Sequence, residues 1–167
     1  MENDTLDLDQ LPEKEQKYNK IGGWMIIPVI GLFITPLRLT VSLFKDLIPA
    51  VTGPDIALYE DPASELYTPA LRYLLYGEIF VNVGFSIFAI VILVHLFKFK
   101  SITPLLYITF VVSNLVFVVA DSLIVLQLGL GTTGDFFDKE LFQAIVSCSI
   151  WIPFFLLSER VKGTFVK

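Results

Sequence analysis

The chain has 167 residues, enough for one domain. Hydrophobic residues make up 54% and charged residues 17%, against about 25% charged in soluble domains, and mean hydropathy is +0.71, which excludes both a soluble domain and a disordered chain. A net charge of −5 without any Lys/Arg cluster excludes nucleic acid as a partner, and a single cysteine excludes an intrachain disulfide and a cysteine-built metal site.

Residues 1–20 carry acids and lysines with little apolar content, so a flexible acidic cytoplasmic tail is expected there. The lead-in is acidic and no small-x-small site follows the first apolar run, so we expect no cleaved signal peptide. Residues 21–158 then read as a four-span membrane domain. A bilayer crossing needs about 20 predominantly apolar residues, and four runs meet this: about 21–44, 73–97, 104–126 and 140–158. A soluble helix would interrupt each run with a polar stripe at 3.6-residue spacing, and these runs have none. The fold class is therefore all-α, an integral membrane four-helix bundle. Residues 159–167 form a short basic tail.

Local signals agree with these spans. Thr68-Pro69 and Thr103-Pro104 each place a capping hydroxyl before proline, the favoured start of a helix. Asp135 or Asp138 can cap the fourth span, after the glycines of 129–134. Tyr18, Trp24, Tyr73 and Trp151 are candidate interfacial anchors, Trp151 lying rather deep for that role. The connection from Lys45 to Thr68 is long and acidic, and its Leu47-Ile48-Pro49 and Ile56–Tyr59 stretches suggest that it rests on the membrane surface.

Of the twelve cations, eight fall on the side of the two tails and the second connection, three on the opposite side, and Arg38 within a span. By the positive-inside rule both termini are cytoplasmic.

Polar groups inside the spans are few. At about 1.5 Å per residue, Arg38 lies 17 residues past Ile21 and Asp121 lies 17 past Pro104, which predicts similar heights. Glu78, Asn82 and Gln143 open incoming helices, so the outer leaflet should gather Arg38, Glu78, Asn82, Asp121 and Gln143, with Asn114 deeper. Charges at this depth pair, face a wet cavity or snorkel to water. Three arrangements follow: a lock in which Arg38 bridges Glu78 and Asp121, a snorkelling set, or an outward polar pocket. The lock is the leading expectation. Pro36 removes a backbone bond to the carbonyl of Leu32 and should kink the first helix, which membrane bundles tolerate.

Other motifs carry less. Gly129-Leu130-Gly131-Thr132-Thr133-Gly134 spells G-x-G-x-x-G, but it follows a helix and joins two spans, whereas the dinucleotide motif follows a strand. His95, the lone histidine, lies far along its helix from Glu78, and Cys148 has no second sulfur near it in sequence. We identify no catalytic residues, no metal ligands and no cofactor site.

Two stretches carry a family resemblance: Ile21-Gly22-Gly23-Trp24 with Pro28 and Pro36-Leu37-Arg38, and Trp151-Ile152-Pro153-Phe154-Phe155-Leu156 followed by Ser158, Arg160, Val161, Lys162, Thr164 and Phe165. Over residues 20–167 the chain resembles the bacterial domain of unknown function 2569 family of small inner-membrane proteins, with Phe154 where the pattern has Tyr. The resemblance implies a bacterial inner membrane and supplies no substrate. Physically, Arg160 and Lys162 meet anionic headgroups at about 1 kcal/mol each, and Thr164 and Phe165 either bind a partner or fold back on the bundle. The expected function is that of a non-enzymatic accessory or interaction protein, with the lipid bilayer and a membrane-protein partner or second copy as its contacts. The alternative is a small oligomeric transporter or channel subunit with an outward-facing polar site.

The cation asymmetry makes a direct prediction. In a Cys148→Ser background, single cysteines at Ser64 and Thr133 label with an impermeant thiol reagent in whole cells, and those at Thr5 and Thr164 do not. Labelling at position 5 would reverse the orientation.

Overall fold

The structure, a computed structural model, describes residues 21–131 and 139–165. All described regular elements are helices, four of them long and apolar enough to cross a membrane. α1 (Ile26–Ser42) follows a short 3-10 turn at Gly23–Met25, passes through a π turn at Leu43–Leu47 and continues as α2 (Ile48–Thr52). A small helix α3 (Ile56–Glu60) leads to α4 (Ala70–Phe97), α5 (Thr103–Gln127), α6 (Lys139–Leu157) and the terminal α7 (Glu159–Thr164). The end holding residues 21–25, the 98–102 turn and α7 is the terminal end; the end holding 53–69 and 128–131 is the loop end.

The first span runs on to Thr52, well beyond the apolar run at 21–44. Its packed positions explain the π turn. Leu39 and Leu43 are half-buried and Leu47 and Val51 buried, a spacing of four residues that drifts about 40° per step on a 3.6-residue helix. The wider π turn takes up this drift, so Leu47 and Val51 stay on the packed face while Lys45 and Asp46 remain exposed. Pro28 sits in the first turn, where its missing N–H leaves no bond unmade. Pro36 lies inside the helix, and the hydroxyls of Thr35 and Thr40 donate to the carbonyls of Gly31 and Pro36 at 2.8 and 2.7 Å.

The long connection is built rather than slack. Leu47, Val51 and Ile56 are buried, Thr68 N donates to Tyr59 O at 2.7 Å, and Arg72 Nε stands 2.7 Å from Glu60 Oε1, an ionic contact rather than a well-directed hydrogen bond. Its apolar stretches turn partly inward, onto the bundle.

Two of the connections end helices in the same way. Phe99 N donates to Leu96 O while Lys100 N donates to His95 O, and Gly129 N and Leu130 N repeat this pattern on Leu126 O and Val125 O. Both are Schellman closures with a left-handed residue, Phe99 at φ 52° and Gly129 at φ 72°. The glycine of the G-x-G-x-x-G stretch therefore ends a helix. Residues 132–138, with the Asp135 and Asp138 caps, lie outside the described residues, as do residues 1–20 with Tyr18.

The Thr-Pro starts differ from expectation. Neither helix has a side-chain cap: α4 begins after Pro69, and Thr103 is already the first residue of α5, its hydroxyl buried without a partner. Ser158 does cap, accepting from Val161 N at the head of α7. Trp24 and Tyr73 are exposed as anchors would be, whereas Trp151 packs edge-on against Tyr107 and Phe154.

α1 packs chiefly along α4, and α5 along α6; α4 and α5 meet over a shorter stretch. The core lies in the half nearest the termini. On α4 the buried residues are Ala89, Ile92, Leu93 and Leu96, and on α5 they are Thr103, Tyr107, Phe110 and Val111. Tyr107 stacks on Phe155 at 4.4 Å, and Phe110 takes Phe85 and Phe88 edge-on at 5.5 Å.

Truncations should respect this gradient. Leu96→Ala in the packed half costs about 2 kcal/mol or more, while Leu123→Ala, half-exposed on α5, changes little. Reversible unfolding in mild detergent measures both. Equal costs would mean that the core is spread evenly along the helices.

Candidate functional site

Toward the loop end α4 and α5 separate, leaving a groove of about 390 Å³. Tyr73, Gly77, Glu78 and Val81 line it from α4, Phe117 and Asp121 from α5, so the two acids share one concavity. Glu78 feels the charge of Asp121 and also that of Glu140, which opens the fourth span. Glu140 had no role in the sequence reading, because it flanks an apolar run and only the fold brings it beside Glu78. Asn82, one turn below Glu78, uses its amide to donate to the Glu78 carbonyl at 3.0 Å, and its own carbonyl accepts from Ser86 Oγ. Both are bonds within α4, and Asn82 does not line the groove. Gln143 is exposed and Asn114 half-buried; neither lines the groove.

Arg38 does not join these residues. The rings of Phe33 and Phe97 lie 6.0 Å apart, which puts these two positions side by side on antiparallel helices. Arg38 lies five residues up α1 from this contact and Glu78 nineteen up α4, so their levels differ by roughly 20 Å at 1.5 Å per residue. The equal heights expected from counting 17 residues along each span fail because the helices do not start level. Among the described residues the ion pair is Arg72–Glu60, and Arg38 makes none. Arg38 is exposed, flanked by the exposed Ile34, Leu37 and Val41.

The second candidate set, Arg160, Lys162, Thr164 and Phe165, lies at the terminal end. Here the tail folds back. Val161, Thr164 and Phe165 are buried, and Val161 and Phe165 belong to the same cluster as Met25, Leu96, Tyr107 and Phe155. Lys162 stays exposed, making it a better labelling position than Thr164. Arg160 lies against Gly22 and Gly23, and a Cβ on either would stand 2.6 Å from Nη2 or 3.1 Å from Nη1. Its Nε is buried without a hydrogen-bond partner. Gly23 also has φ +61°, a conformation that costs an L-residue about 1–2 kcal/mol. The two sequence stretches that carry the resemblance therefore meet in space.

The remaining groups are structural. His95 Nδ1 is 2.8 Å from Val91 O, and the buried Cys148 thiol donates to Val111 O across two helices at 3.3 Å. No three His, Cys, Asp or Glu side chains among the described residues are placed to hold a metal ion.

The fold-back predicts the effect of removing the tail. A chain ended at residue 158 and Phe165→Ala both lose stability, and Gly23→Ala loses about 1–2 kcal/mol from backbone strain alone. Unfolding in detergent reads each loss. A chain ended at 158 with unaltered stability would show that the tail contributes nothing to the core.

No curated protein and no solved structure is detectably similar to the chain. A family model does match, over residues 18–166, and its description is protein of unknown function (DUF2569). The match takes in both the Gly22–Gly23 segment and the Arg160 tail that packs on it, and on that evidence the chain belongs to the DUF2569 family.

Proposed function

We propose that this protein is a non-enzymatic accessory protein of the bacterial inner membrane, with both termini in the cytoplasm, that binds a membrane-protein partner along the outer face of α1. The observation that carries this reading is Arg38. It stands near the middle of the Gly23–Thr52 span, exposed between apolar side chains and without an ion pair among the described residues. A charged side chain within a membrane span is costly, by up to about 2.5–3.5 kcal/mol at the centre on insertion scales. A carboxylate on a neighbouring helix at the same depth offsets that cost, and Glu78 and Asp121 of this chain, or of a parallel second copy, stand at another depth. The tail is a weaker candidate for the contact because Val161, Thr164 and Phe165 are occupied in the core.

A second reading, a small oligomeric transporter, draws support from the acidic groove at the loop end. The two readings separate in one experiment. A photo-crosslinker at Leu37 or Val41 in cells gives a discrete heterologous product that Arg38→Leu removes and Arg38→Lys partly keeps, since charge survives without the planar fork. Crosslinks to copies of the chain alone, together with solute uptake by proteoliposomes that Glu78→Gln stops, would replace the accessory reading with the transporter one.

A further inference from the structure

The groove between α4 and α5 has a chemistry of its own, independent of Arg38. Its walls are almost wholly apolar, including the side chains of Tyr73, Val81 and Phe117, and its charge comes from Glu78 and Asp121. At about 390 Å³ it is far larger than a bare ion and falls within the roughly 300–1,000 Å³ range of small-molecule pockets. A metal ion finds no three-ligand set among the described residues. Two acidic residues lining the same concavity, with the charge of Glu140 added, repel anions and leave a neutral apolar guest without a counterpart for the charge. A cation whose charge is spread over an apolar body satisfies both features, because its surface packs on the walls and its field meets the acids. The aromatic walls add attraction, since a cation within about 6 Å of a ring centroid interacts favourably with the π face.

We propose that this groove binds a free monovalent organic cation with an apolar body, taken up from the leaflet at the loop end and held by Glu78 and Asp121. An amine-headed phospholipid fits less well, because its phosphate would sit beside the same two acids. Gly77 provides the access: a Cβ built there meets nothing within 4 Å, so the space in front of it is open. A larger side chain at 77 fills that space.

Tetraphenylphosphonium and tetraphenylborate test this directly, being alike in size and apolar surface and opposite in charge. Purified protein in nanodiscs of zwitterionic lipid is titrated with each, and uptake by empty nanodiscs is subtracted. We expect saturable binding of the phosphonium and none of the borate. Glu78→Gln and Asp121→Asn should each weaken phosphonium binding at least tenfold. Gly77→Leu should abolish it while melting no lower than the parent. Absence of phosphonium binding, equal binding of the two ions, or phosphonium binding unchanged in Gly77→Leu would each overturn the proposal. If a carboxamide variant fails to fold, the comparison of the two ions on the parent protein decides alone.

Discussion

Helices inside a bilayer gain nothing from hiding apolar side chains from lipid, so close packing is what joins them. In this chain that packing is concentrated in an aromatic seam near the termini. Tyr107 stacks on Phe155, Phe110 receives Phe85 and Phe88, and Met25, Leu96, Val161 and Phe165 close the cluster. The seam joins the α1–α4 pair to the α5–α6 pair and takes in the returning tail. Stiff aromatic rings suit this task, because they offer large contact areas at little conformational cost. Gly22 and Gly23 belong to the same joint: their missing side chains let the Arg160 guanidinium lie along the backbone where α1 begins.

Strong packing at one end leaves the other end free to open. Beyond Val111 on α5 and before Ala89 on α4 no residue is buried, and the groove forms there. The groove is thus a consequence of where large side chains and glycines fall along α4 and α5. Gly77 and Gly84 have nothing within contact distance of a built Cβ, whereas Ala89 on the same helix is fully buried. The polar residues follow this division. Glu78 and Asp121 occupy the open half, where two carboxylates can stand near one another without the full cost of enclosure in a dry core.

Much of the architecture was legible because each span is a long uninterrupted apolar run, and little else in a globular chain has that form. Tertiary choices were less legible. Counting residues from the start of each span placed Arg38 level with Asp121 and in one leaflet with Glu78, but sequence carries no information on how far one helix slides along its neighbour; the Phe33–Phe97 contact does. Thr103-Pro104 spelled a cap, yet burial of the threonine against the seam took precedence over capping. The tail looked like an exposed basic segment because Arg160 and Lys162 dominate its composition. Val161 and Phe165, four residues apart and on one face, carried the signal that it packs. Glu140 showed no sign of its role, since nothing in a linear run says which acid will stand beside which.

The separation of charge along the molecule also constrains what it can do. A cation near the middle of the Gly23–Thr52 span and acids about four turns higher on α4 and α5 cannot be joined by side-chain rotation, because an arginine reaches far less than roughly 20 Å. Joining them would require one helix to slide several turns along another, against the packing of Phe33 on Phe97 and of Leu32 and Met25 in the core. Groups this far apart with no shared partners act almost independently. Arg38 and the acidic groove are therefore two separate features of one scaffold, the first facing outward across a helix surface and the second facing into a concavity. The aromatic seam between the helix pairs holds both in place, and neither is needed to neutralise the other.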